Sequence, residues 1–366
     1  MRLERFTGEL RVWACVAMRV LSLSGSPYDV GLQHGRKIRE LVRGYYSFCR
    51  ILLNDVPEDL VSTTLSKVED GLRGGYPEAL EEMRGIADGS RLSYEDVLLM
   101  NFSSEVRSQA SAGCTAFAAT NGATMSGQPI MGKTRDMAFQ AYFPFQIAMR
   151  VRTPERAEVF LAEAFSGMAV TGCGMNEHGL GLTLNIIISI SDADDSVGIQ
   201  RAFLARLILE RCKSVEEVLD LFSKTDLAYQ GANFLVCDAE GECALVEKSH
   251  RHQAVIRPED GVIASTNHFT DPGMRQFDRV FTQPTRIRIE RMASLLESAR
   301  GKIDLSMAKG FLRDHAHGLG INSICRHKPS GVNTVQAYIL EPRSREIHIA
   351  DGHPCLSRFR RYSPFR

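Results

Sequence analysis

The stretch that most constrains this chain is Ser111-Ala112-Gly113-Cys114-Thr115-Ala116-Phe117-Ala118, followed closely by Gly132-Lys133-Thr134-Arg135-Asp136. Small residues lead up to one cysteine, and the β-prone runs after it are broken by Asn121-Gly122 and Ser126-Gly127. The pattern predicts a strand beginning at Cys114, a turn and a returning strand, with Cys114 at a sheet edge. A lone internal cysteine ordinarily packs as a small apolar group, so its surroundings must supply any chemistry.

The whole chain narrows the classes. Its 366 residues hold either two average domains or one large layered domain. Apolar residues make up 44% and charged residues 24%, an ordinary globular balance that argues against a disordered scaffold. Lys plus Arg equals Asp plus Glu at 44 each, so no global field recruits nucleic acid. Nine cysteines in no regular framework imply a mostly reduced, cytoplasmic protein. Cys237 and Cys243 flank the turn Asp238-Ala239-Glu240-Gly241, and in that compartment they read as two unpaired buried thiols. The apolar run Trp13 to Met18 is bracketed by Arg11 and Arg19 too closely for a signal segment or a membrane span.

Along the chain, Val20 to Leu23 reads as a first strand, leaving residues 1–16 as an extension of unassigned role. Ser24 to Gly35 leads into a helix with Ile38, Leu41, Val42 and Tyr45 on one buried stripe, and His34 reads as a capping or packing residue. Helical spacing continues over Leu60–Leu72, Pro77–Ile86 and Ser93–Met100, with Ser93 as a cap. Strand signals follow at Ile147–Val151, Val159–Leu161, Met168–Thr171 and Leu182–Ile188. The acidic run Asp192 to Asp195 lacks the Gly and terminal Glu of a calcium loop and reads as solvated. Two helices span 200–224, with Ser214 and Glu217 at capping-box spacing. Further strands fall at Phe234–Cys237, Ala244–Glu247, Ala254–Ile256 and Val262–Ala264, then helices at Thr285–Leu296 and Leu305–Leu312. A hairpin of Val335–Leu340 and Glu346–Ala350 closes the pattern, before a basic tail, Arg358 to Arg361, that reads as solvated. Periodicity alone gives a mixed class of helices and antiparallel sheet. His315, His317 and Cys325 give no complete ligand set at tetrahedral spacing, so no metal is expected.

Gly113-Cys114-Thr115, the Gly31-Leu32-Gln33-His34-Gly35 signature, Asn101 to Glu105, Thr266-Asn267-His268-Phe269 and the segment around Ser323-Ile324-Cys325 together resemble one family. It is the acyl-CoA:6-aminopenicillanic-acid acyltransferase (isopenicillin N acyltransferase) branch of the N-terminal-nucleophile hydrolases. The resemblance implies an α+β, four-layer αββα sandwich of two antiparallel sheets. It implies self-cleavage before Cys114, giving a mainly helical segment 1–113 and a core 114–366 that stay together as one unit. It also implies an acyl-enzyme on Cys114, fed by a small-molecule amide or acyl-thioester substrate. No cofactor is implied, acyl-CoA being at most a substrate, and neither is a nucleic-acid or membrane partner.

The physical logic of such a site is simple. A cysteine at a new chain start lies within reach of its own α-amine, whose pKa of about 7.7–8.0 leaves a useful neutral fraction near neutral pH, so one residue supplies nucleophile and base. By the resemblance, Asp136 orients that amine, Asn267 and Asn185 are oxyanion residues, and Lys133, Arg135 and Arg286 are the candidate cations, with Gly113 completing the processing site. Two rivals stand beside this reading. One is a papain-like thiol hydrolase pairing Cys114 with His268 or His178, and the other is a ligand-binding sandwich with Cys114 merely buried.

Overall fold

A computed structural model describes residues 18–107, 112–137, 140–188, 190–192, 197–280, 282–327 and 331–366. The extension 1–16 and the acidic pair Asp194 and Asp195 lie outside the described residues. The helices are α1 (Pro27–Lys37), α2 (Arg39–Leu52), α3 (Glu58–Gly75), α4 (Pro77–Ser90), α5 (Tyr94–Arg107), α6 (Arg201–Arg211), α7 (Val215–Ser223), α8 (Gln283–Ala299) and α9 (Leu305–Phe311). The strands are β1 (Arg19–Ser24), β2 (Ala112–Ala119), β3 (Ile130–Met137), β4 (Gln146–Arg152), β5 (Val159–Phe165), β6 (Cys173–Asn176), β7 (Gly181–Ile187), β8 (Ile199–Gln200), β9 (Leu227–Ala228), β10 (Gly231–Cys237), β11 (Cys243–Lys248), β12 (Gln253–Ile256), β13 (Val262–Ser265), β14 (Asn333–Glu341), β15 (Glu346–Asp351) and β16 (Arg360–Tyr362).

Two sheets carry the architecture, one ordered β1-β4-β5-β6-β7-β10-β11-β12 and the other β13-β2-β3-β14-β15-β16. Within them every pairing is antiparallel except β1 beside β4. Side chains alternate across a strand, so each sheet has an inner and an outer face. Ala116, Met131 and Tyr338 of the six-stranded sheet meet Phe160, Met175 and Leu235 of the eight-stranded one in the middle layer. Val42, Met83 and Phe102 of α2, α4 and α5, together with Phe203 of α6, cover Leu161, Leu182 and Phe234 on the outer side of the larger sheet. Met292, Leu296 and Phe311 of α8 and α9 cover Phe117 and Ile339 on the outer side of the smaller one. The result is the α+β, four-layer αββα sandwich.

The glycine signature near the start has a packing explanation. Ser26 caps α1 in a capping box with Asp29, and Pro27 occupies its first turn. Gly31 and Gly35 then face Gly85 and Gly89 of α4: a Cβ at Gly31 would lie 1.9 Å from the Glu82 carbonyl oxygen, and one at Gly85 2.1 Å from that of Tyr28. Only glycine lets the two backbones approach this closely. His34 is buried at that contact inside α1, where its Nε2 accepts the Gly167 N–H at 3.0 Å, which is a packing role.

Four expectations are corrected. β2 starts at Ala112, two residues before Cys114, and lies between β13 and β3, so Cys114 is not on an edge strand. Met168–Thr171 is not a strand, because side chains meet its backbone and bridge from it: Asn101 Oδ1 accepts the Ala169 N–H at 2.9 Å, and the Thr171 hydroxyl donates to the Glu163 and Cys173 carbonyls. The basic tail is not merely solvated, since Arg360–Tyr362 pairs with β15 as a further strand. Cys237 and Cys243 are disulfide-bonded rather than unpaired; the hairpin sets them directly opposite each other, with Cα atoms 4.1 Å apart. Among the described residues, no helix is long and apolar enough to cross a membrane.

The N-terminal helices are tied to the core by a buried charge network. Arg206 of α6 donates to both carboxylate oxygens of Glu82 in α4, at 2.8 and 2.5 Å, and to Glu210 at 2.9 Å. The Tyr76 hydroxyl donates to Glu210 at 2.7 Å. Removing one member of a buried pair leaves an uncompensated charge. Arg206→Met is therefore expected to lower the unfolding free energy by about 3–5 kcal/mol in urea titrations. Arg286→Gln, whose ion pair with Glu290 is exposed on both sides, should leave the midpoint where it is.

Candidate active site

The register of β2 against β3 sets the site: Gly113 opposes Asp136, Cys114 opposes Arg135, and Ala116 opposes Lys133. Opposed residues of an antiparallel pair share a face. Cys114, Lys133 and Arg135 thus point toward the eight-stranded sheet, where Glu163 of β5 meets them. The Lys133 ammonium ion-pairs with Glu163 and donates to the Gly172 carbonyl at 3.0 Å. Arg135 Nε lies 3.3 Å from Glu163 Oε1, its Nη1 lies 3.3 Å from Gln336 Oε1, and its guanidinium sits 4.2 Å from the centre of the Phe165 ring. Burial disfavours the charge on Glu163, but Lys133 and then Arg135 outweigh it and hold the carboxyl below its usual range.

Cys114 is 6% exposed and lines a cavity of about 240 Å³. Lys133, Arg135 and Glu163 form its charged end near the sulfur and Arg201 also lines it, while Tyr45, Tyr142, Phe165, Met168, Leu184 and Ile186 are among its apolar walls. In the continuous chain, burial pushes the Cys114 thiol up to about 11, Lys133 working against that shift and Glu163 with it.

A second group approaches Cys114 from the β13 side. Ser265, the last residue of β13, pairs with Ala116, so the chain two residues further on comes abreast of Cys114. There Asn267 Oδ1 accepts the Cys114 N–H at 2.8 Å, and Asn267 Nδ2 donates to the Ile186 carbonyl at 3.0 Å. Asn185 is further off: its Nδ2 donates to the Ser265 carbonyl at 3.1 Å and its buried Oδ1 has no hydrogen-bond partner. Neither asparagine lines the cavity. Beside Asn185, Asn233 donates to the Thr266 and His268 carbonyls, so the pair pins the turn that presents Asn267.

Asp136 is fully buried on the opposite face of β3. Thr334 donates to its Oδ1 at 2.7 Å, whereas Oδ2 has no hydrogen-bond partner and has Arg326 Nε at 3.4 Å. Burial raises its carboxyl above the usual range despite Arg326 and Thr334. Gly113 fits against this pair only because it lacks a side chain. A Cβ there would fall 2.7 Å from Arg326 Nη1 and 3.2 Å from Asp136 Oδ2.

Arg286 is not at the site. Its side chain is 64% exposed and pairs with Glu290. Two residues along a helix is about 200° of rotation, so Arg288 faces the opposite way. Arg288 is buried, its Nη2 donating to the Cys114 carbonyl at 3.3 Å and to Asn267 Oδ1 at 2.9 Å, and its Nε to Thr115 Oγ1 at 3.1 Å. The signal was available in the helix period: Thr285, Arg288, Met292 and Leu296 form the buried stripe of α8. Glu163 was missed too, although a lone carboxylate inside the apolar run Val159–Phe165 marks it. Arg326 and Thr334 carry no comparable local signal.

No histidine is among the described residues that line the cavity. His268 is buried between Thr266 and Thr285, within 3.1 Å of both hydroxyls, and burial pushes it down to about 4. His178 lines a different cleft, with Glu78 and Arg156.

An uncharacterized protein of Archaeoglobus fulgidus is 24% identical over 350 residues, covering 81% of this chain, which spans 58% of that relative's length. Protein dcd1A of Dictyostelium discoideum is 22% identical over 323 residues, covering 79% of this chain and 72% of its own. Among solved structures, a mutant form of the conjugated bile acid hydrolase from Clostridium perfringens aligns at a TM-score of 0.45 and 15% identity, over 68% of this chain and 96% of that one. A family model, acyl-coenzyme A:6-aminopenicillanic acid acyl-transferase, matches residues 123–355, beginning just past Cys114. Since that match takes in well over half of the chain, the protein belongs to the acyl-coenzyme A:6-aminopenicillanic acid acyl-transferase family.

Proposed function

We propose that the chain is an autoprocessed cysteine enzyme that moves an acyl group from an amide or thioester onto Cys114 and then to an amine or to water. In processing, the Cys114 sulfur attacks the Gly113 carbonyl, the Gly113–Cys114 amide bond gives way to a thioester, and water hydrolyses the thioester. The products are a Gly113 carboxylate, a free thiol and a free Cys114 α-amine. In turnover that amine takes the thiol proton and passes it to the leaving group. A small-molecule amide or an acyl thioester such as an acyl-CoA fits as donor, its acyl part against the apolar wall of Tyr142, Phe165 and Met168. No cofactor takes part.

The observation that carries this reading is the placement of Cys114 at the seam between a charged cluster and an apolar cavity, with Asn267 Oδ1 on its nitrogen and, beside Gly113, an Asp136 oxygen that faces Arg326 but accepts no hydrogen bond. An ammonium formed at Cys114 has the Asn267 oxygen as acceptor and the Asp136 carboxylate one residue away, beside Gly113. The absence of a histidine among the described cavity-lining residues weighs against a papain-like pair. The cavity and the charges beside the sulfur weigh against a thiol that merely packs. Asn267 donates through the second hydrogen of its amide to the developing oxyanion, and Arg288 is its positioning residue. The segments 1–113 and 114–366 remain one unit after cleavage because β1 and the Glu82–Arg206 pair bind them together.

Purified protein is expected to show two masses, for 1–113 and 114–366, and Cys114→Ala one intact mass. An intact, fully active wild-type chain excludes the proposal. Arg288→Gln is expected to slow processing and turnover by on the order of 10²-fold through displacement of Asn267. Arg286→Gln should change neither, and equal effects would remove the assignment of Arg288. In chains trapped before cleavage, alkylation of Cys114 should be slow at neutral pH and accelerate as pH rises toward 11, because burial disfavours the thiolate. Processed chains should instead react with a midpoint near the α-amine range of about 7.7–8.0, followed by mass spectrometry of the modified peptide.

A further inference from the structure

We propose that His315, Cys325, His327 and Cys355 form a zinc site, closed by four protein ligands, that fixes the loop carrying Arg326 beside Gly113 and Asp136. The spacing of His315, His317 and Cys325 leaves a ligand set incomplete in the sequence. The fold completes it differently: His327 lies two residues after Cys325, Cys355 arrives from the turn that follows β15, and His317 is exposed.

The geometry is that of a tetrahedron before its metal. Donor atoms of the four residues all lie within 4.8 Å of one another. The two sulfurs of Cys325 and Cys355 are 3.7 Å apart, and His327 Nε2 is 3.4 Å from the first and 3.1 Å from the second. A tetrahedral zinc with Zn–S of about 2.3 Å and Zn–N of about 2.0–2.1 Å has S···S edges of about 3.8 Å and S···N edges of about 3.6 Å. His315 Nε2 is buried without a hydrogen-bond partner, a cost that coordination removes. Its ring centre is 5.0 Å from that of His327, and the His327 ring stacks on His353 at 3.9 Å. Two thiolates and two imidazoles in a closed tetrahedral set select zinc, and with no open position the site is structural.

The consequence reaches the candidate active site through one residue. Arg326 stands between two ligands, its N–H donates to Thr334 Oγ1 at 2.9 Å, and its side chain meets Asp136 Oδ2. The Cys325 N–H donates to the carbonyl of Asp314, the residue before His315, and Arg291 holds the Asp314 carboxylate at 2.7 Å. Holding Cys325 and His327 on one ion therefore fixes the backbone that aims Arg326.

Elemental analysis of the full chain, produced with zinc supplied, is expected to give about one zinc per chain. Cys355→Ser and Cys325→Ser should each fall below about a tenth of that, while His317→Ala keeps all of it. Wild-type chain exchanged with cobalt should show thiolate-to-cobalt charge transfer and tetrahedral d–d bands, a readout that does not depend on the variants folding. Zinc-free wild-type chain that takes up no cobalt overturns the proposal, as does a Cys325–Cys355 disulfide in chain isolated without reductant. Zinc retained by Cys325→Ser/Cys355→Ser overturns it equally.

Discussion

The ion pair between Lys133 and Glu163 joins the two sheets at the point where the cavity opens. One partner comes from β3 of the smaller sheet and is buried, and the other comes from β5 of the larger and is only slightly exposed. Taking two charges out of water costs several kcal/mol per ion, so such a pair persists only when the remaining hydrogen-bonding capacity is also met. Here it is met: Lys133 has the Gly172 carbonyl as well, and the second oxygen of Glu163 has Arg135. Arg135 in turn lies over the Phe165 ring, which holds the guanidinium against an apolar wall. The middle layer elsewhere is filled by Ala116, Met131, Phe160 and their neighbours; at this end charge replaces apolar packing and leaves a hollow beside Cys114.

That substitution of charge for packing explains the electrostatics around the sulfur. Lys133 and Arg135 are each drawn toward Glu163, so their pull on a thiolate is largely spent, and burial dominates the Cys114 thiol. A thiol held protonated inside a continuous strand is inert toward solvent reagents and reacts with what is placed against it. In the processing chemistry proposed above, that partner is the carbonyl one residue upstream. Glycine at 113 then matters through steric room rather than through an unusual backbone angle: Gly113 is absent from the positive-φ positions, and Arg326 and Asp136 occupy the space of a Cβ.

Much of this was legible in the sequence because it depends on short-range pattern. The strand, turn and strand around Cys114 and Asp136 follow from residue type and turn chemistry, and their pairing fixes which side chains share a face with the sulfur. The helices at Pro77 and Tyr94 follow from a proline and a serine at their starts, Ser93 accepting the Asp96 N–H at 3.1 Å. What was lost depends on contacts across long separations. Arg286 was chosen over Arg288 by a motif position, where the buried period of α8 decides for Arg288. Met168–Thr171 has strand-like composition, yet Asn101 from α5 meets its backbone first. Cys237 and Cys243 were assigned by compartment, whereas the hairpin register alone sets them opposite each other. Cys355 joins Cys325 only because β14 and β15 return the chain to the same end of the sheet.

The proposed nucleophile sits one strand in from the edge, and the end of β13 makes that position workable. β13 stops pairing at Ala116, so on that side the Cys114 N–H is no longer claimed by the sheet, and the Asn267 side chain takes its place. A backbone N–H in a ladder cannot become a chain terminus without loss of the neighbouring pairing. One held by a side chain can. Under the proposed processing, conversion of this N–H to an ammonium keeps the Asn267 oxygen as acceptor and adds a charge near the Asp136 oxygen that Arg326 faces, while Ala116 to Ala119 stay paired to both neighbours. For the processing proposed above, the truncated edge strand, the asparagine beyond it and the aspartate opposite Gly113 solve one problem together, which is to free a chain end inside a sandwich without opening the sandwich.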